Sequence, residues 1–173
     1  MGRTLAVFGM LASLLCGGKT AQQPDIPRQG RSFVSFEPAS SVTVTPGHKA
    51  PVSFTFRVLR GYHINSNQPT APELIPTQLQ FTPPGEVVVG KVQYPAGVLM
   101  SFPFDPTQKL SVYSGNVIIR AVVIAQSSAT PGTYTVHGEL KYQACDNNAC
   151  YPPKKLPVEF TVKIVEAPRH RRR

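Results

Sequence analysis

Residues 52–58 read Val52-Ser53-Phe54-Thr55-Phe56-Arg57-Val58, with an apolar side chain at every second position and polar ones between. Successive side chains of an extended strand point to opposite faces, so this spacing puts one face in a core and the other in water. The same parity recurs along the chain. Val42 and Val44 alternate with Thr43 and Thr45. Tyr134, Val136, Leu140 and Tyr142 keep one parity across Thr135, His137, Glu139 and Lys141, and Val158, Phe160, Val162 and Ile164 repeat it near the end. Val117 to Ala125 is more continuously apolar and predicts a central strand covered on both faces. Val87-Val88-Val89 with Lys91 to Tyr94 predicts another strand. Turn signals separate these runs at Pro46-Gly47, Arg60-Gly61, Pro83-Pro84-Gly85, Ser114-Gly115 and Pro131-Gly132. There is no helical period, internal repeat or second domain. Many short alternating strands with such punctuation predict an all-β fold, an immunoglobulin-like β-sandwich.

Composition agrees. Apolar residues make up 41% of the 173 and charged ones 16%, so the chain can bury one core; eighteen prolines and no tryptophan suit short strands and turns. The N-terminus is set apart from this domain. Met1-Gly2-Arg3 is a short positive start, Leu5 to Cys16 is apolar, and a polar stretch follows. Residues 1–21 therefore read as a secretory signal peptide, too short to span a bilayer, and 22–31 as a proline-bearing linker. The residues before Cys16 (Ser13-Leu14-Leu15) argue against a lipid anchor there. The domain is expected over 32–166 and a basic, disordered tail over 167–173. Of the formal charge of +9, Arg3 and Lys19 supply two and the four arginines of the tail another four, leaving +3 over residues 22–168. A nearly balanced domain with a basic end does not read as a nucleic-acid binder. No glycine-rich phosphate loop follows a strand, and the four histidines show no metal-ligand spacing. His63 and His137 fall in strand patterns and read as surface or edge residues. Export would place the domain outside the cytoplasm, where disulfides persist.

Two cysteines remain once the leader is removed, in Tyr142-Gln143-Ala144-Cys145-Asp146-Asn147-Asn148-Ala149-Cys150-Tyr151-Pro152-Pro153. The strand from Thr133 is expected to run straight into Cys145. Asp146-Asn147-Asn148 is turn chemistry, because these side chains bond to nearby backbone. A four-residue connection would set the cysteines opposite each other on a hairpin, close to disulfide distance. Such a bond reads two ways. A ring this small contributes only about 2 kcal/mol as a staple, while an exposed loop tip admits the attacking thiolate that exchange requires. A metal site would need His63 or His137 as further ligands. Asp146 would disfavour a thiolate and Lys141, Lys154 and Lys155 would favour one.

The pattern Tyr142-Gln143-Ala144-Cys145 followed by Cys150-Tyr151-Pro152-Pro153 resembles the periplasmic N-terminal domain of the thiol:disulfide interchange protein DsbD. Gly61-Tyr62-His63-Ile64 is similar to that family's Gly-Tyr strand beside the cysteines, and Ala96-Gly97-Val98 lies where the family has its cap loop. The resemblance implies an immunoglobulin-like sandwich acting as a periplasmic thiol-disulfide oxidoreductase of the protein-disulfide reductase type. It would take reducing equivalents from a separate membrane electron conduit or a thioredoxin-like donor. Oxidised periplasmic partners, such as a disulfide isomerase or a cytochrome-maturation thioredoxin, would receive them. It implies Cys150 as the thiol that forms mixed disulfides and Cys145 as the one that resolves them. Tyr62 and Tyr151 would flank the pair, and Phe102 or Phe104 would shield it. Neither cofactor nor metal is implied, and a monomer is expected. The loop between the cysteines, at four residues, is shorter than is usual for the family. The rival reading is a non-enzymatic immunoglobulin-like binding or chaperone-like module with a structural disulfide.

Overall fold

The computed structural model describes residues 32–167; the expected leader with Cys16, the expected linker and the expected tail from residue 168 onward lie outside the described residues. The described residues form twelve strands and no helix. In chain order they are β1 (Val34–Glu37), β2 (Val42–Val44), β3 (Lys49–Val58), β4 (His63–Asn65), β5 (Gln78–Thr82), β6 (Val87–Val89), β7 (Val98–Phe102), β8 (Asp105–Tyr113), β9 (Asn116–Ala125), β10 (Gly132–Tyr142), β11 (Ala144–Cys145) and β12 (Lys154–Ile164). Two four-stranded sheets, ordered β1-β3-β9-β6 and β2-β12-β10-β5, make an immunoglobulin-like sandwich. Pairing within them is antiparallel except where β2 runs parallel to β12. A third sheet, β11-β4-β8-β7, carries the cysteines.

The alternation read at residues 52–58 is what closes the sandwich. Val52, Phe54, Phe56 and Val58 of β3 are buried, and their polar neighbours lie on the outer face. Val136, Leu140 and Tyr142 of β10 and Val158, Phe160, Val162 and Ile164 of β12 are buried likewise. Aromatic rings bridge the layers: the Phe54 ring lies 5.1 Å edge-on from Phe160 and 5.0 Å from Phe81 of β5. Each such ring, fully buried, contributes about 1.5–3 kcal/mol. Phe81 also covers Gly138, its register partner on β10, where a Cβ would come within 2.6 Å of both the ring and the Gln80 carbonyl. Glycine is therefore required there by space.

Two expectations need correction. β9 is central, between β3 and β6, but it is covered on one face only. Val117, Ile119, Ala121, Val123 and Ala125 point inward while Ile118 is 39% exposed and Arg120 is exposed. The apolar run there reflects β-branched residues tolerated on a half-solvated sheet, not a second layer. The strand expected through Tyr94 stops at Val89; Gly90 still donates to the Val122 carbonyl, and pairing resumes only as a single bridge between Gln93 and Arg120.

Candidate functional site

The ladder between β10 and β12 runs without a break from Gly132↔Ile164 to Tyr142↔Lys154, and the cysteines lie in the excursion beyond that last pair. The strand does not run straight on to Cys145. At Gln143 the chain leaves the sandwich sheet, and Ala144 and Cys145 pair instead with Ile64 and His63 of β4. Gln143 secures this crossing. Its Oε1 accepts from Asn65 Nδ2 at 3.1 Å and from the Ile75 amide at 3.3 Å, and its Nε2 donates to the Tyr151 carbonyl at 3.2 Å. The backbone closes the neck as well, with the Asn65 amide on the Gln143 carbonyl and the Tyr151 amide on the Ala144 carbonyl.

Beyond Cys145 the expected turn forms. Asp146 Oδ1 accepts from the amides of Asn148 at 2.7 Å and Ala149 at 3.0 Å, while Oδ2 accepts from the Tyr151 hydroxyl at 2.7 Å. These bonds, that of Tyr151 first, hold the Asp146 carboxyl below its ordinary range. The same hydrogen bond pushes the Tyr151 hydroxyl up to about 12. The loop brings Cys150 back opposite Cys145 in an antiparallel bridge, with the sulfurs bonded and the Cα atoms 3.9 Å apart. The two sulfur-bearing residues are not equivalent. Cys145 is fully buried, whereas Cys150 is exposed.

Aromatic residues stand on both sides. Phe33, Tyr62 and Tyr151 form a cluster with ring centroids 4.7–5.9 Å apart, which brings the two expected flanking tyrosines together, Tyr151 being the chain neighbour of Cys150. Phe33 was not anticipated; it lies just before β1 and carries no turn or motif signal. Lys154 Nζ sits 5.1 Å over the Phe33 ring, and Lys155 pairs with Glu139 at 2.9 Å, so two of the three lysines considered as thiolate partners have other engagements. On the other side Phe102 of β7 is buried and stacks on His63, the register partner of Cys145, at 3.8 Å and 17°. Half-buried Phe104 stacks on Phe102 in turn at 5.5 Å. The segment Pro95–Gly97, just ahead of β7, is tied down. The Tyr113 hydroxyl is within hydrogen-bond distance of the Pro95 carbonyl, and a Cβ on Gly97 would collide with Ser66 and Ser111.

His63 is the clearest departure from expectation. It is 4% exposed, not a surface or edge residue, because β4 is covered on both faces and His63, Ile64 and Asn65 are all buried. Burial pushes its pKa down to about 4, against an opposing pull from Asp146. Its Nε2 is buried and has no hydrogen-bond partner among the described residues. Those residues contain no group of three or more His, Cys, Asp or Glu able to hold a metal ion.

The family model of the thiol:disulfide interchange protein DsbD, N-terminal, matches residues 30–161. No curated protein sequence matches the chain. Among solved structures, the reduced DsbD N-terminal domain of Neisseria meningitidis is 19% identical with a TM-score of 0.43, over 75% of this chain and 90% of that one. The N-terminal periplasmic domain of ScsB from Proteus mirabilis is 11% identical with a TM-score of 0.48, over 81% of this chain and 49% of that one. The seventh ScaB type I cohesin from Pseudobacteroides cellulosolvens is 10% identical with a TM-score of 0.50, over 82% and 97%. At that identity the cohesin match speaks to the fold alone.

Proposed function

The chain belongs to the family of DsbD N-terminal domains, and on that footing we propose that Cys145 and Cys150 pass reducing equivalents from a thioredoxin-like or membrane-embedded donor to oxidised periplasmic proteins. The observation that carries this reading is the unequal exposure of the two cysteines. Exchange needs one sulfur open to an incoming thiolate and a second held back to finish the reaction.

With Cys150 exposed and Cys145 buried, a donor thiolate attacks the Cys150 sulfur and expels the Cys145 thiolate, which takes up a proton. The donor's second thiolate then attacks its own sulfur in the mixed disulfide and releases Cys150. Two thiols remain here and the donor carries the disulfide. Toward an acceptor the order reverses. The Cys150 thiolate attacks the acceptor's disulfide, and Cys145 resolves the intermediate, leaving the acceptor with two thiols. The Asp146 turn fixes where Cys150 is presented. The Phe33–Tyr62–Tyr151 cluster, which begins at the residue after Cys150, would flank the exposed sulfur, and Phe102, stacked on His63 and backed by Phe104, would screen the buried one. The leader would deliver the domain to the periplasm, and no helix among the described residues is long and apolar enough to cross a membrane.

A Cys145→Ser variant should accumulate a mixed disulfide through Cys150 with a thioredoxin-like partner, and Cys150→Ser should not. Equilibration with a thiol buffer should give the native pair a reduction potential above about −300 mV. A lower potential, with no trapped complex, would return the disulfide to a structural role in a binding module.

A further inference from the structure

Among the described residues, His63 Nε2 is one of two buried side-chain polar atoms without a hydrogen bond. Unpaired buried polar groups are rare, and each one calls for a cause. The register supplies one. Cys145 and His63 are directly opposed on antiparallel strands, so their side chains share a face with Cβ atoms about 4.5–5.5 Å apart. Cys145 is fully buried and His63 nearly so, which removes both from bulk water. The imidazole is also held in place, lying flat on Phe102 with Phe104 behind.

We infer that His63 is a positioning residue for the redox pair, its Nε2 accepting the hydrogen of the Cys145 thiol and thereby favouring the reduced protein over the disulfide. In the disulfide the Cys145 sulfur has no hydrogen to give, and the nitrogen stays unpaired. Reduction by a dithiol donor brings two electrons and two protons to the pair, and one of those protons arrives on the buried sulfur beside the nitrogen. Only one oxidation state satisfies the site. Burial keeps the ring neutral near pH 7, so a lone pair is available there. The charged group acting on the ring is Asp146, whose carboxylate is already held by Tyr151 and two amides. A net hydrogen bond corresponds to roughly a three- to tenfold change in equilibrium constant.

The inference rests on the exchange reading above, and its test separates the two. His63→Phe keeps a ring to stack on Phe102 and removes the nitrogen; His63→Gln keeps an acceptor near the same place. In equilibrium with thiol buffers at pH 7, His63→Phe should shift the pair toward the disulfide by about three- to tenfold, or about 15–30 mV downward. His63→Gln should stay within about twofold of the native protein. A native pair that exchanges freely while His63→Phe leaves its potential unchanged, or raises it, would overturn this inference alone. A native pair that never exchanges would overturn both. Imidazole nitrogen spectra of the unmutated protein give a check that needs no variant: the Nε2 resonance should move on reduction as it gains a hydrogen bond. An identical resonance in both oxidation states would refute the inference.

Discussion

Acid should loosen this domain through His63 before it touches the carboxylates. The folded protein holds that imidazole neutral down to about pH 4, while the unfolded chain leaves it at the ordinary 6.5. Between those values the unfolded state binds more protons, so stability rises with pH across the window. The contribution is complete above about pH 6.5 and is lost as the pH falls toward 4. A unit of pKa shift corresponds to about 1.4 kcal/mol, so the loss reaches about 2 kcal/mol near pH 5 and about 3 kcal/mol near pH 4. Urea unfolding of the oxidised protein, measured from about pH 7.5 to about pH 4.5 beside His63→Phe, isolates the effect, because the other titrating groups cancel in the difference. The native protein should lose stability relative to the variant as the pH falls. Parallel profiles, or a native protein gaining on the variant in acid, would refute the assignment of a buried neutral imidazole.

Other perturbations test the rest of the site and its support. Gln143→Ala removes three hydrogen bonds at the crossing between sheets and should destabilise the oxidised domain by about 2–3 kcal/mol in chemical denaturation; a loss under about 0.5 kcal/mol would mean the amide is not what fixes that crossing. Phe54→Ala should lower stability by about 3–5 kcal/mol by opening a cavity between the layers, while the thiol-buffer equilibrium of the pair stays as it was. For Asp146 the depressed carboxyl means that its turn is stabilised above the ordinary value of 3.8 and released as the pH falls through the folded one. The amides of Asn148 and Ala149 and the Tyr151 ring should accordingly titrate together in NMR spectra with a midpoint below 3.8, and a midpoint at or above it would count against the clamp. Gly138→Ala should cost about 1–3 kcal/mol, read as a lowered melting temperature, because the Cβ has no space beneath Phe81.

The sandwich was legible because its strands obey the period of two. β3, β10 and β12 have one buried and one open face, and residues such as Phe54 and Phe160 announce which is which. The cysteine turn was legible too, since Asp146-Asn147-Asn148 is local chemistry and Asp146 closes it within three residues. What lies between strands distant in sequence was not. Gln143 joins Asn65 and Ile75 across roughly seventy residues, and no local pattern marks a glutamine as the point where a strand changes sheets. His63 was misread for a related reason. A three-residue strand buried on both faces has no alternation to show, so a polar side chain within it looks like a surface one. The run from Val117 to Ala125 erred in the opposite direction, its outer face being apolar yet partly solvated.

The pairing of Tyr142 with Lys154 has a bearing on how the redox reaction meets the fold. This last rung closes the neck of the excursion without help from the sulfurs, and ten rungs stand behind it. Cleaving the sulfur–sulfur bond therefore releases little freedom to the chain, because a short lasso cinched at its base stays a short lasso. By linkage, the roughly 2 kcal/mol that so small a ring contributes to stability is also the pull that folding exerts on the electron balance, about 40 mV toward the disulfide. The remainder would fall to the immediate neighbours of the sulfurs, since the ladder behind the neck is held by its own backbone pairing and needs no sulfur bond to stand.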